Sequence, residues 1–201
     1  MKLLCLGFAL LISACGGKYI PPALGPITLD VDPSIAIQAP NGNAGHACAV
    51  FNDYGEFFLT ASHVVWNEET QSYMPVVWSD GFGQEGYFET DGPFSAVDVA
   101  LLNPVGEKRP FALPQGPAGK PGDTVYWFEY DFRTRKNALR ARRRFAKILR
   151  VVAQHYILDD LAEGGSSGTC LLDAQGEVIG IVVSGWDTAD NLGVTAAVKL
   201  P

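Results

Sequence analysis

Short apolar or alternating stretches, separated by turn-forming residues, recur along most of this chain and constrain its fold more than any other feature. They are four to eight residues long, which suits β-strands, and no stretch has the longer periodicity of an amphipathic helix. Glycine, asparagine, aspartate and proline lie between them. The pattern predicts an all-β protein with strands at residues 47–51, 56–59, 74–78, 86–90, 97–102, 124–130, 145–152, 155–158, 177–183 and 193–198.

The first residues have the pattern of an export signal. Lys2 supplies a positive start, residues 3–12 are apolar, and Ser13-Ala14 provides the small residues that a signal peptidase needs. Cys15 follows directly and resembles the cysteine that is acylated in bacterial lipoproteins. We expect a signal peptide over residues 1–14, lipidation of Cys15 and a location in the bacterial cell envelope, facing the periplasm or the exterior. The alternatives are an ordinary cleaved signal or an uncleaved anchor, although the apolar run is short for a membrane span.

The segment after the signal is rich in proline. Five prolines and few charges occur between residues 16 and 40, which indicates an extended linker. We therefore assign residues 15–40 to a lipidated cysteine and tether, and residues 41–200 to the folded domain. These 160 residues suffice for one or two small units with a core.

A glycine-serine turn at residues 165–168 is the strongest candidate for a catalytic centre. Ser167 is the candidate nucleophile in this turn, and Gly165 allows the backbone to bend tightly there. The N–H groups of Gly165 and Ser167 can then converge on an oxygen that becomes negative during acyl transfer. A loop serine without any catalytic role is the common alternative for such a tetrapeptide, so the interpretation requires a base and a carboxylate elsewhere.

His63 and Asp98 are the candidates for those two partners. His63 ends a strand-like run within residues 56–65, and the chain has three histidines in all. Asp98 is flanked by valine, alanine and leucine, so we expect its carboxylate to be sheltered from water and to need a donor such as a histidine N–H. An aspartate in that position orients the imidazole so that its other nitrogen can accept the serine proton.

Three segments in this order resemble the trypsin/chymotrypsin-type serine endopeptidases, particularly their compact bacterial members: residues 60–63, 98–102 and 165–168. Further likeness occurs at residues 121–125, 180–185 and 192–195. The resemblance implies two packed antiparallel six-stranded β-barrels, the first over residues 41–112 and the second over residues 113–200. It also implies a Ser-His-Asp triad at their seam, a peptide or protein substrate, and neither a cofactor nor a metal.

The same resemblance places a substrate-binding pocket. Its residues would be Leu161 and Ala162 before the nucleophile, Ser184 and Gly185 on a strand that pairs with substrate backbone, and Gly193. Family members that favour basic side chains carry an acid where this chain has Leu161. We therefore expect a small or medium apolar residue at the substrate position preceding the cleaved bond (P1). Asp159, Asp160 and Glu163 lie nearby and complicate this expectation if the loop is aligned differently.

Two cysteines remain after the signal and the lipidation site. In the resembling fold, the strand before the histidine loop runs behind the nucleophile loop, so a disulfide between Cys48 and Cys170 is expected. An exported protein permits such a bond. The alternative is two independent buried thiols.

Departures from the family pattern keep a second function open. Ser166 replaces the aspartate with which many animal members bind a new N-terminus, and Thr169-Cys170 replaces the usual glycine and proline. The alternative is a weak or inactive protease-fold protein that binds peptides, a membrane or an acidic partner.

Basic residues are concentrated in one segment. Nine of the fifteen lie between Arg133 and Arg150, with no acid among them, in a chain of net charge −7. This segment is a candidate contact for anionic lipid or an acidic partner, and the alternative is a solvated hairpin. Nucleic acid is not an expected partner, because export argues against it.

Overall fold

Strands make up most of the structure, a computed structural model that describes residues 35–80, 83–94, 97–129, 142–187 and 193–200. The strands in these ranges are β1 Ile35–Gln38, β2 Ala44–Asn52, β3 Gly55–Thr60, β4 Trp66–Asn67, β5 Ser72–Tyr73, β6 Val76–Asp80, β7 Glu85–Pro93, β8 Ala100–Val105, β9 Leu113–Pro114, β10 Thr124–Glu129, β11 Arg142–Val152, β12 His155–Leu158, β13 Cys170–Leu172, β14 Val178–Asp187 and β15 Gly193–Lys199. One short helix, α1 Ser62–Val65, follows β3.

The first barrel is a ring of six antiparallel strands in the order β1, β6, β7, β8, β3 and β2, closed by pairing of β1 with β2. Alternate side chains of these strands point inward. Phe88 lies between Phe58 and Trp78 at ring-centroid distances of 5.4 and 5.8 Å. These large aromatic side chains fill the barrel interior and exclude water from it.

The second barrel contains β10, β11, β12, β15, β14 and β13 in closed antiparallel order. Trp127 and Tyr156 are fully buried in it. The outward residues Tyr126, Cys170 and Leu172 belong instead to a buried apolar cluster that continues into the first barrel. The two barrels therefore share a core along their contact surface.

The predicted fold class, two six-stranded antiparallel barrels, is confirmed, and each of the ten predicted strand regions overlaps a strand. Two boundaries need correction. Ile35 and Ile37 are buried in β1, so the first barrel starts inside the segment assigned to the tether over residues 15–40. Leu113 pairs with Val50 of β2, so β9 attaches to the first barrel although the second was expected to begin at residue 113. β1 covers only part of the β2 edge, and β9 occupies the remainder.

Among the described residues, no helix has the length and apolar character needed to span a membrane. The predicted signal, Cys15 and the tether up to residue 34 lie outside the described residues.

A disulfide links the two barrels. Cys48 of β2 and Cys170 of β13 are bonded, and their Cα atoms are 4.9 Å apart. Both residues are buried. The predicted bond is therefore present, rather than two independent thiols, and it lies three residues beyond Ser167.

Removal of the disulfide tests how much this link stabilises the fold. The bond closes a loop of 122 residues, so we expect Cys48→Ala/Cys170→Ala to lose roughly 2–5 kcal/mol of unfolding free energy. Urea unfolding of both proteins measures the loss. A variant as stable as the parent would contradict the expectation, and reductant should destabilise only the parent.

Candidate active site

His63 is carried by α1, at the rim of the first barrel. The flanking Val64 and Val65 are buried and hold this helical turn against the core. The side chain of His63 points the other way and is 50% exposed. The sequence pattern had placed His63 at the end of a strand, but β3 ends at Thr60 and the chain turns before it reaches the histidine.

Asp98 orients the His63 ring through two hydrogen bonds. Its Oδ2 lies 2.6 Å from Nδ1 of His63, and its Oδ1 accepts the His63 backbone N–H at 3.0 Å. The Asp98 side chain is 36% exposed, so it is less sheltered than expected. The reason is its position, because β8 begins only at Ala100 and Asp98 lies ahead of it at the barrel rim.

Ser167 meets His63 across the seam between the barrels. Its Oγ lies 3.0 Å from Nε2 of His63 and 3.3 Å from the Val183 carbonyl oxygen. A proton on Nδ1, facing Asp98, leaves Nε2 as an acceptor for the serine hydroxyl. The structure thus brings together the three predicted residues in the order Asp98, His63, Ser167.

The turn around Ser167 has two glycines in the left-handed region and leaves two amide groups without an acceptor among the described residues. Gly165 has φ +99° and Gly168 φ +91°, both in the left-handed region that favours glycine. A Cβ on Gly168 would overlap the His46 carbonyl oxygen, so only glycine fits there. Within the described residues the N–H groups of Gly165 and Ser167 donate no hydrogen bond, whereas that of Ser166 is bonded to the Glu163 carbonyl. The two predicted oxyanion donors therefore remain available.

His46 connects the first barrel to this turn, a role that the sequence pattern did not predict. Its backbone N–H donates to the Ser167 carbonyl at 2.8 Å, and its Nδ1 lies 2.7 Å from the Gly165 carbonyl oxygen. Burial lowers the pKa of His46 to about 4, although the hydrogen bond with Gly165 acts in the opposite direction. The ring is therefore neutral near pH 7, and Nδ1–H donates to Gly165. Histidine within an apolar strand gives no distinctive pattern, so only the structure reveals this role.

Four of the five predicted pocket residues, Leu161, Ala162, Gly185 and Gly193, lie close together. Leu161 packs against both Gly185 and Gly193, where an added Cβ would lie 3.0 Å from Leu161 Cδ1 and 2.5 Å from Leu161 Cβ, respectively. Ala162 donates its N–H to Thr195 Oγ1 at 2.7 Å. Ser184 precedes Gly185 on β14 and is exposed. Leu161 therefore fills the space between the two glycines and forms an apolar floor.

Two acidic side chains near Leu161 form hydrogen bonds with residues of β11. Asp160 forms two hydrogen bonds to the Arg144 guanidinium, at 2.9 and 2.7 Å, and Asp159 accepts the Lys147 backbone N–H. Burial lowers the pKa of Arg144, but hydrogen bonding to Asp160 and nearby acidic charges outweigh this and hold it above its ordinary value. Asp159 and Asp160 are thus engaged with β11, whereas the Glu163 side chain is largely exposed and its Oε1 lies 3.9 Å from Arg144 Nη1.

The basic segment lies only partly within the described residues, which begin again at Arg142 in β11. Arg144 is paired with Asp160, and the Arg143 guanidinium lies 5.2 Å from the ring centroids of both Tyr126 and Phe128. Both guanidinium groups therefore already have partners within the protein. Among the described residues there is also no group of three or more His, Cys, Asp or Glu side chains arranged to hold a metal.

Known structures share this architecture. Rv3671c of M. tuberculosis H37Rv, solved as an inactive serine-to-alanine mutant, matches with a TM-score of 0.63 and 18% identity over 87% of this chain and 84% of that one. A serine endoprotease of Yersinia pestis matches with a TM-score of 0.67 and 17% identity. The match covers 90% of this chain and 63% of that one. A serine protease of a human pathogenic astrovirus matches with a TM-score of 0.62 and 18% identity. The match covers 85% of this chain and 92% of that one. No match was found among curated proteins.

A family model described as a trypsin-like peptidase domain matches residues 45–181. Fold and family together define the class as serine endopeptidases, hydrolases that act on peptide bonds. The chain belongs to the trypsin-like peptidase family.

The buried neutral His46 predicts a specific dependence of stability on pH. The ordinary pKa of a histidine is 6.5, and that of His46 in the folded protein is about 4. Between these two pH values the unfolded chain therefore binds a proton that the folded chain does not. Stability should fall by about 2–3 kcal/mol from this group as pH decreases from 7 to 4.5. His46→Gln should lose less stability over the same interval, measured by urea unfolding at both pH values. An equal loss in parent and variant would exclude His46 as the cause.

Proposed function

We propose that this protein is an exported, lipid-anchored serine endopeptidase that hydrolyses peptide bonds through an acyl-enzyme intermediate. One observation carries the proposal: Ser167 Oγ lies 3.0 Å from His63 Nε2, whose ring is held by Asp98. A nucleophile, a base and an orienting carboxylate with this connectivity suit acyl transfer.

In the first half of the reaction, Ser167 Oγ attacks the carbonyl carbon of the substrate while His63 Nε2 takes its proton. The carbonyl oxygen becomes an oxyanion and accepts hydrogen bonds from the N–H groups of Gly165 and Ser167. Asp98 stabilises the imidazolium that forms. His63 then donates the proton to the leaving amine as the carbon–nitrogen bond breaks, which leaves an ester on Ser167.

Water completes the cycle. His63 accepts a proton from a water molecule that attacks the ester carbonyl, and the same two amides hold the second oxyanion. Collapse of this intermediate returns the proton from His63 to Ser167 Oγ and releases the carboxylic acid. No cofactor or metal takes part in this scheme.

The substrate backbone is proposed to pair with β14. Among the described residues, β13 pairs with β14 only up to Ile181, whereas β15 pairs with β14 as far as Asp187. Residues 183–187 therefore have an open edge next to Ser167, and an extended peptide can add to it as a further strand. Main-chain hydrogen bonds of this kind carry little sequence preference.

The P1 side chain of the substrate would lie over the apolar floor formed by Leu161. Because Leu161 lies between Gly185 and Gly193, the space for this side chain would be shallow and apolar, and among the described acids nearby Asp159 and Asp160 are engaged with β11. Alanine, valine and residues of similar size are therefore the proposed P1 preference.

Peptide hydrolysis by the soluble domain tests this function. We expect cleavage after small apolar P1 residues, and a fall in kcat of roughly 10⁴-fold or more for Ser167→Ala, His63→Ala and Asp98→Asn. Ser72→Ala, which alters an exposed serine of β5, serves as the matched control and should match the parent.

If the parent does not cleave peptides, or if cleavage survives Ser167→Ala, the endopeptidase function is contradicted. A parent that binds peptides without cleaving them would instead support the alternative of a protease-fold binding protein.

Lipid attachment is proposed from the N-terminal sequence, Lys2 to Cys15, with the protein held at the bacterial cell envelope. Basic residues between Arg133 and Arg150 are a proposed second contact, to anionic lipid or an acidic partner. Replacing Cys15 by serine in the full-length chain should move the protein from the membrane fraction to the soluble fraction. Retention in the membrane fraction would contradict lipidation as the anchor.

A further inference from the structure

Glu129 lies directly beneath the turn that carries Ser167. It is the last described residue of β10 and is 4% exposed. Its Oε1 accepts three hydrogen bonds: from Trp127 Nε1 at 3.0 Å, from the Glu163 backbone N–H at 3.0 Å, and from Ser166 Oγ at 3.2 Å. One buried carboxylate oxygen is therefore shared by its own strand and by the nucleophile turn.

The two contacts to the turn lie on either side of Gly165. Glu163 and Ser166 are also joined to each other, because the Ser166 N–H donates to the Glu163 carbonyl. Gly165 lies between them with φ +99°, a position where a glycine backbone rotates readily. With both flanking residues fixed to Glu129, the direction of the Gly165 N–H is constrained.

The negative charge beneath the nucleophile turn belongs to Glu129 of β10 and not to a residue of the turn itself. The residue before the nucleophile is Ser166, which carries no charge but donates its hydroxyl proton to Glu129. Glu129 Oε2 lies 4.0 Å from Arg144 Nε, and Arg144 forms its shorter contacts with Asp160. A buried carboxylate is costly unless it is hydrogen-bonded, and two of the three donors to Glu129 belong to the turn. Carboxylate and turn therefore depend on each other.

We propose that Glu129 is a positioning residue for the oxyanion hole. Through Glu163 and Ser166 it holds the Gly165 N–H in the direction that the developing oxyanion requires. Glu129 does not touch the substrate. Its effect appears in the transition state, where the amide hydrogen bonds strengthen, rather than in ground-state binding. This proposal rests on the proposed endopeptidase function.

Two variants and a matched control test the role in the complete folded domain. Ser166→Ala removes one hydrogen bond to Oε1, and Glu129→Gln keeps the size of the side chain but removes its charge. Thr169→Val is the control, because it removes a buried hydrogen bond of the same length between the same turn and β10, from Thr169 Oγ1 to the Phe128 carbonyl at 3.2 Å, and leaves the bonds to the Glu129 carboxylate in place.

In Ser166→Ala and Glu129→Gln, kcat should fall roughly ten- to hundred-fold, with KM within about two-fold of the parent. The affinity for a peptide boronic acid, which forms a tetrahedral adduct, should fall by a similar factor. Thr169→Val should lose thermal stability comparable to Ser166→Ala while keeping its kcat. The proposal is overturned if both Glu129-linked variants keep the parent kcat, or if Thr169→Val loses as much.

Amide hydrogen exchange separates this proposal from the proposed function. If the parent neither cleaves peptides nor reacts with a fluorophosphonate, the endopeptidase function fails. Exchange at residues 163–166 should still accelerate about ten-fold or more in Ser166→Ala and Glu129→Gln, and not in Thr169→Val. Unchanged exchange in the two variants would overturn the anchoring by Glu129 independently of activity.

Discussion

The hydrogen bonds between β2 and the nucleophile turn are the constraint on which the site depends. His63 and Asp98 belong to the first barrel and Ser167 to the second, so their geometry is set by how the barrels dock. His46 spans that contact with its backbone N–H on Ser167 and its imidazole on Gly165. The disulfide from Cys48 to Cys170 secures the same contact two residues further along β2. A small shift here would separate Ser167 from its base.

The nucleophile turn is held from two sides by chemically different groups. A neutral imidazole from the first barrel binds the Gly165 carbonyl, and a buried carboxylate from the second barrel binds Glu163 and Ser166. Each group is buried, so its hydrogen bonds have little competition from water. Between these anchors lie the amides of Gly165 and Ser167, which we propose as the oxyanion donors. The turn is thus preorganised without an acid of its own next to the nucleophile.

Local patterns in the sequence predicted the strands and the three site residues because alternation and turn chemistry are local properties. Leu161, named through resemblance, lies against Gly185 and Gly193, and its role in substrate binding stays a prediction. β1 was missed because the prolines around Ile35–Gln38 resemble those of a linker, while one of its two pairing partners, β6, begins only at Val76. His46 and Glu129 were missed for a related reason. Their partners lie 119 and 34 to 37 residues away, and nothing in the adjacent residues signals those contacts.

The most direct test of the account is the site of covalent modification by a fluorophosphonate, mapped by tandem mass spectrometry. The account predicts one phosphonyl adduct on Ser167, formed at a rate that drops sharply in His63→Ala. It also predicts no adduct in Ser167→Ala, because the chemistry requires the hydroxyl that His63 activates. An adduct on another residue, or none on a folded parent with its disulfide intact, would contradict the claim that the two barrels assemble a working nucleophile.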